Sequence, residues 1–431
     1  MSSDSMDILR STAFSFPAID NHAHPLLNSQ SRDKVPFEAI LSEASGEVAL
    51  KKDATQTLAC YRAAEQLAEI LEIEKNQDDL WQKLKEKRDS IEYEELCEMF
   101  MKRCGIQSIL LDDGLGGVSE WAEDWKWHRR FGCTTKRIVR VEIEAEKLLL
   151  PLLQPLLDIE DRSTLPSAES YKRLLSTLVK FFGQLSTSLT NSALDPEVVA
   201  FKSIACYRGG LNIRTRSALS ISITDSEQSN MHGVVESLLQ VLWQFKDKGI
   251  IRIAHGVINE WIIHWALRVA GECGIPVQFH TGLGDSDIPL VHASPAYMQP
   301  LIEDYPQTIF ILLHAAYPFT KEAGYLCSVY PNVMLDFGEI FPMVSGSGQR
   351  AALREVLELC PTNKILWSTD GHWHPESFYL GTIQARQALF DVLSEIISAG
   401  ELTETQAVGI VERALFWNAE RVYKLDMIPN K

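Results

Sequence analysis

No stretch of this 431-residue chain approaches 18 uninterrupted apolar residues, so a membrane-spanning helix is not expected. The opening MSSDSMDILRSTAFSF lacks a positive leader followed by a long apolar run, so no secretion signal is read there and a cytoplasmic location is expected. Cysteine is sparse. There are eight, none in a CxxC pair, and they are expected to be reduced and mostly in the core rather than parts of a disulfide or thiolate framework. Basic charge is also short: 41 Lys and Arg face 58 Asp and Glu, a formal net charge of −17. The nearest approach to a basic cluster outside helices, Lys136, Arg137 and Arg140, runs into Glu142 and Glu144, so no nucleic-acid face is expected. No GxSxG elbow is present. LDDGLGG has neither the lysine and hydroxyl of a phosphate loop nor a full dinucleotide fingerprint.

What is present is a 45% hydrophobic chain with short apolar runs that end in polar residues. They are FPAIDNHAHPL, then 106 to 114, 136 to 142, 198 to 210, 275 to 282, 308 to 317, 332 to 339 and 364 to 372. Between them the apolar spacing shifts towards 3.6, as in SNMHGVVESLLQVLWQFKDKG, WIIHWALRVAGECG, SPAYMQPLIEDYP and QRAALREVLELCP. Alternating short strands and helices predict an α/β fold, and eight strands predict a closed (β/α)₈ TIM barrel. A single domain over 1–431 is expected. Two intervals exceed simple loops: 52–104 predicts several inserted helices, and 143–197 a helical pair around the turn-rich SLTNSALDP. Such insertions either cap one mouth or pack outside. At the end of the chain, Thr403 and Gln406 fit a capping box ahead of an apolar face of Ala407, Ile410, Val411 and Leu415, expected to seal the barrel.

In such a barrel, groups at the carboxyl ends of different strands converge. His22 and His24 end the first strand, His280 the fifth, His314 the sixth and Asp370 the eighth. Imidazoles with a carboxylate suit a divalent metal of intermediate hardness such as zinc. Two histidines one residue apart on an extended segment can bite one ion from the same side. Arg208, before two glycines, offers guanidinium donors to a substrate carboxylate or forms a structural salt bridge. Glu339 either binds a substrate amine or holds another polar group. His372 and His374 in DGHWHP are loop or pocket residues rather than the primary pair, and WAEDWKWHRRF is read as packing.

IDNHAHPL, FKSIACYRGG, VQFHTGLGD, ILLHAAYPFTKEAGYL, YPNVMLDFGEIFPM and ILWSTDGHWHPE together resemble the amidohydrolase superfamily. More narrowly they resemble the amidohydrolase-related domain that precedes a glutamine-synthetase-like domain in fungal developmental regulators, here without the synthetase-like half. The resemblance implies that His22, His24, His280 and Asp370 bind the metal. It implies that Asp370 accepts the proton of an attacking water, and that His314 binds a second metal or polarises the substrate. Lys202 matches the position of a lysine that is carbamylated in two-metal relatives, or it contacts a charged substrate or an internal acid. One divalent metal is expected, zinc or else manganese, with a second left open at Lys202. The expected activity is hydrolysis of a small amide or related C–N bond, with γ-glutamyl and other carboxylate-bearing compounds as candidates. The alternatives are nonhydrolytic decarboxylation of a small acid and an inactive binding or developmental-signalling role. The partner is a small molecule, and a homo-oligomer is compatible.

Overall fold

The computed structural model describes residues 6–75, 79–116, 118–160, 166–219 and 231–430. Ser229 and Asn230, Gly117, and parts of both expected insertions lie outside them. Eight strands form one parallel sheet in sequence order: β1 Ala18–Ala23, β2 Ile106–Asp112, β3 Thr134–Arg140, β4 Val198–Ser203, β5 Val277–Phe279, β6 Phe310–Leu312, β7 Val333–Asp336 and β8 Ile365–Leu366. The first and last edges meet just beyond β8, where Asn21 N donates to Trp367 O at 3.3 Å and Asp370 N to His22 O at 3.0 Å. The sheet therefore closes on itself as a (β/α)₈ barrel with insertions.

The strands are shorter than the apolar runs. The run at 198 to 210 stops pairing at Ser203 and turns at Ala205–Tyr207, and the run at 364 to 372 pairs only at Ile365–Leu366. Residues past the paired region remain buried, Trp367 and Ser368 among them. An apolar run thus reports burial, which extends beyond the ladder. The run at 136 to 142 ends early because Val141 opens the helix Val141–Leu153.

The helical pair after β3 is real, but its turn lies elsewhere. The helix Ala168–Leu194 runs through most of SLTNSALDP, and the connection is the stretch between Leu153 and Ala168. Leu185 and Leu189, four residues apart and buried, keep the polar Ser, Thr and Asn positions helical.

The inserted helices after β1, Leu58–Ile70, Leu80–Asp89 and Tyr93–Met101, pack outside the barrel. Leu67, Leu84, Leu96 and Phe100 share a cluster with Leu380, on the helix Pro375–Ser398. The stretch ahead of them contributes Glu43 to the cavity wall. At the opposite end, the capping box at Thr403 is formed and Ala407, Ile410, Val411 and Leu415 are buried. Phe416, Val422 and Tyr423 then plug the barrel floor against apolar residues from every strand but β5. β5 supplies Gln278 instead, whose Nε2 donates to the Tyr423 hydroxyl at 2.7 Å.

All eight cysteines are free. Among the described residues, no helix is long and apolar enough to cross a membrane.

The run WAEDWKWHRRF packs as expected. His128 is fully buried and its Nε2 accepts from Leu26 N at 3.0 Å. Burial pushes its pKa from 6.5 down to about 4. The unfolded chain then takes up a proton below about pH 6.5 that the folded chain refuses, so stability falls as pH drops from there towards 4. His128→Gln keeps an acceptor for Leu26 N and removes that slope, about 1.4 kcal/mol per pH unit. Urea unfolding of both proteins at pH 7 and pH 5 reads the difference; equal slopes would contradict it.

Candidate metal centre

His22, His24, His280, His314, Glu339 and Asp370 lie within four residues of the carboxyl ends of their strands, and the backbone at three of them is unusual. His314, Glu339 and Asp370 have φ of 69°, 58° and 51°, a left-handed conformation that costs a non-glycine residue about 1–3 kcal/mol. Buried carboxylates hold these turns. Asp336, at the end of β7, accepts from Asn21 Nδ2 at 2.8 Å, Ser368 Oγ at 3.0 Å, Gly338 N at 3.0 Å and His314 N at 3.3 Å. Asp20, on β1, accepts from Thr369 N at 2.9 Å and from the Thr369 hydroxyl. The strained ends are thus fixed from beneath, as a preorganised site requires.

The tautomers follow from the hydrogen bonds. His24 Nδ1 lies 2.9 Å from Asp112 O, which can only accept, so Nδ1 carries the proton and Nε2 the lone pair. That lone pair faces Asp370 Oδ1 at 3.5 Å. His22 Nε2 lies 3.3 Å from the same oxygen and 3.1 Å from Lys202 Nζ. His280 Nε2 lies 2.6 Å from Leu283 O and so donates, leaving Nδ1 unprotonated. Orienting a ring through its second nitrogen is how metal-ligating histidines are held. Burial drives His22, His280 and His314 well below the ordinary imidazole pKa, so these rings are neutral. Burial alone would raise Asp370, but the imidazoles that share its site, His314 first, outweigh it and hold it well below the ordinary carboxylate range, an anion at neutral pH.

An anion and imidazole lone pairs thus face one another in a buried space, a donor set that calls for a cation. The unpartnered atoms agree: His22 Nδ1, both nitrogens of His314, Glu339 Oε2 and Asp370 Oδ1 are buried without a hydrogen-bond partner. Groups with ligand atoms within 4.8 Å of one another are His22, His24 and Asp112; His22, His314 and Asp370; and His280, His314 and Glu339. His280 therefore falls with His314 and Glu339, not in the groups that contain His22. His314 joins the two regions, its ring 4.4 Å from that of His280 and 5.6 Å from that of His22. The residues present fit a divalent ion.

Lys202 is buried on β4 beside His22, and burial lowers its pKa to about 8. Arg208 lines the cavity, but its Nη2 is 3.0 Å from Glu146 Oε1, the salt bridge weighed against a substrate anchor; its buried Nε has no partner. Glu339 Oε2 lies 3.3 Å from His314 Nδ1. His372 lines the cavity, while His374 points away and contacts Arg88 Nη2 at 3.1 Å and Val35 O at 3.2 Å. Sequence reasoning missed four groups. Asp20 and Asp336 sit within IDNHAH and MLDFGE, and their signal was an acid inside an apolar run, three residues before the end of β1 for Asp20 and at the last residue of β7 for Asp336. The pair Arg140 and Asp112, joined at 2.6 and 2.9 Å, closes β3 and β2. Glu43 had no local signal.

His22, His24, His280, His314, Glu339 and Asp370 are among the residues that line a cavity of about 450 Å³. A family model described as Amidohydrolase matches residues 260–425. Protein fluG of Emericella nidulans is 38% identical over 98% of this chain and 47% of that protein, so the chain spans about half the length of the curated relative it matches. Among solved structures, a Lactobacillus casei protein provisionally named a metal-dependent hydrolase superposes with a TM-score of 0.73 at 21% identity, covering 97% of this chain and 98% of that one. A uronate isomerase from Bacillus halodurans gives 0.57 at 14% identity, covering 97% and 96%. At those identities the two structures share the fold.

Proposed function

The chain belongs to the amidohydrolase superfamily, and from that premise we propose that it is a metal-dependent hydrolase of a small amide or related C–N bond. The observation that carries the reading is the buried confrontation of His24 and His22 with the Asp370 carboxylate. In this proposal His22, His24, His280 and Asp370 hold one divalent ion. Imidazole and carboxylate donors favour zinc, with manganese second. When bound, the ion supplies Lewis acidity that makes water a competent nucleophile near neutral pH.

The remaining work falls to the chain. Asp370 takes the proton from the attacking water, because its carboxylate is ionised and faces the cavity. Glu339, which burial raises well above the ordinary carboxylate pKa, faces Nδ1 of His314 at 3.3 Å and in its acid form donates to it, so that the neutral ring carries its proton on Nε2, the donor that steadies charge developing on the substrate carbonyl. Arg208 keeps an unpartnered Nε for a substrate carboxylate while Glu146 holds its other arm. Carboxylate-bearing amides, γ-glutamyl compounds among them, are therefore the first substrates to try. The partner in this reading is a small molecule, not nucleic acid.

The test is product analysis in ¹⁸O-labelled water with metal-loaded protein and a panel of γ-glutamyl amides, other N-acyl compounds and aromatic acids. Hydrolysis places labelled oxygen in the acyl product and releases an amine. Release of carbon dioxide without labelled acyl product would reject hydrolysis and establish decarboxylation in the same cavity.

A further inference from the structure

The charges on the cavity wall are not evenly committed. Four cations line it: Arg140, Lys202, Arg208 and Arg252. Three are occupied by carboxylates, Arg140 by Asp112, Arg208 by Glu146, and Arg252 by Asp287 at 2.6 Å. On the acidic side the balance differs. Glu43 meets His372 Nε2 only at 4.0 Å, too far for a hydrogen bond. Asp285 Oδ1 accepts from Asp287 N within its own loop at 2.7 Å. Glu339 is 2% exposed and faces His314 Nδ1 at 3.3 Å. Neither Glu43 nor Asp285 is paired with a lysine or arginine among the described residues.

Tyr207 stands among these acids. Its ring lies 4.5 Å from that of His280, and burial together with Glu43, Glu339, Asp285 and Asp370 raises its hydroxyl well above its ordinary pKa. A methyl group at Gly284 would lie 2.4 Å from the Tyr207 hydroxyl, so the loop that carries the next residue, Asp285, packs against the hydroxyl end of Tyr207, and Glu43, Tyr207 and Asp285 line the same cavity. Carboxylates that no lysine or arginine neutralises, on a cavity wall that also carries an aromatic ring, are the chemistry that recognises an ammonium group.

We propose that Glu43 and Asp285, with the ring of Tyr207, bind an ammonium group of the substrate. Resting on the hydrolase reading above, this makes the preferred substrate an amide that carries a positive charge as well as a carboxylate. The occupant is an ammonium rather than a second metal, because neither Glu43 nor Asp285 belongs to any group of described residues with metal-ligand spacing. Glu43 comes from the irregular stretch between β1 and the inserted helices, so this part of the chain reads the substrate rather than merely covering it.

The test uses binding, not turnover. Metal-loaded protein is titrated calorimetrically with butylammonium and with butan-1-ol, its neutral counterpart in length. Butylammonium is expected to bind about tenfold more tightly, and E43Q and, separately, D285N to remove most of that preference without changing the affinity for butan-1-ol or the bound metal. Equal affinity for the two probes, or an undiminished preference in both variants, overturns the proposal. Loss of a metal equivalent from correctly folded E43Q also overturns it, by making Glu43 a ligand. A Glu43-dependent ammonium preference in a protein that hydrolyses no amide would leave this inference standing and sink the hydrolase reading alone.

Discussion

Asp370→Asn is expected to lower turnover by about 10²–10⁴-fold, the range lost when a positioned general base is removed. The amide has nearly the shape of the carboxylate, so the close packing around Gly371 and Phe378 is undisturbed. It cannot accept the proton, and it is a poorer ligand. The two losses separate by experiment: metal retained with turnover lost identifies the base, and metal lost identifies the ligand. The metal-free variant is expected to unfold no earlier than metal-free wild type. In wild type, Asp370 Oδ1 faces the His24 Nε2 lone pair 3.5 Å away, acceptor against acceptor, whereas an Asn amide can turn a donor to that nitrogen. Unchanged turnover with native metal content would remove Asp370 from the reaction.

The second large effect is expected from H22A and H24A combined. Removing two imidazoles is expected to weaken metal binding at least about 100-fold, since loss of a supporting partner alone costs 10–100-fold. Metal stabilises wild type by linkage, about 2.7 kcal/mol at one hundred times its Kd, and the double variant forfeits that rise in Tm. Scanning calorimetry with and without zinc reads it. A variant that gains as much as wild type would show that the ion is held elsewhere.

The order of strands and the positions of His22, His24, His280, His314 and Asp370 were legible because a barrel makes strand ends converge, and short apolar runs mark those ends. Strand lengths were not, because burial continues past the last paired residue, as at Trp367 and Ser368. The turn assigned to SLTNSALDP failed because polar residues were weighed above the buried leucines at 185 and 189. Glu43 was illegible for a different reason: it reaches the cavity from a stretch with no periodicity, and only the tertiary path carries it there. Arg208 shows the remaining limit. Its type and place suggested a substrate anchor, but whether a guanidinium is free depends on a partner, Glu146, that lies on a helix 62 residues earlier.

The central claim, that this chain works through an ion held by strand-end histidines and Asp370, is tested most directly by metal content followed alongside turnover. Protein purified without added metal is analysed for its elements, stripped with a chelator, and given zinc or manganese stepwise while release of product is followed. The account predicts turnover that disappears with the metal and returns in full with about one equivalent per chain. Full turnover in rigorously metal-free protein would contradict it.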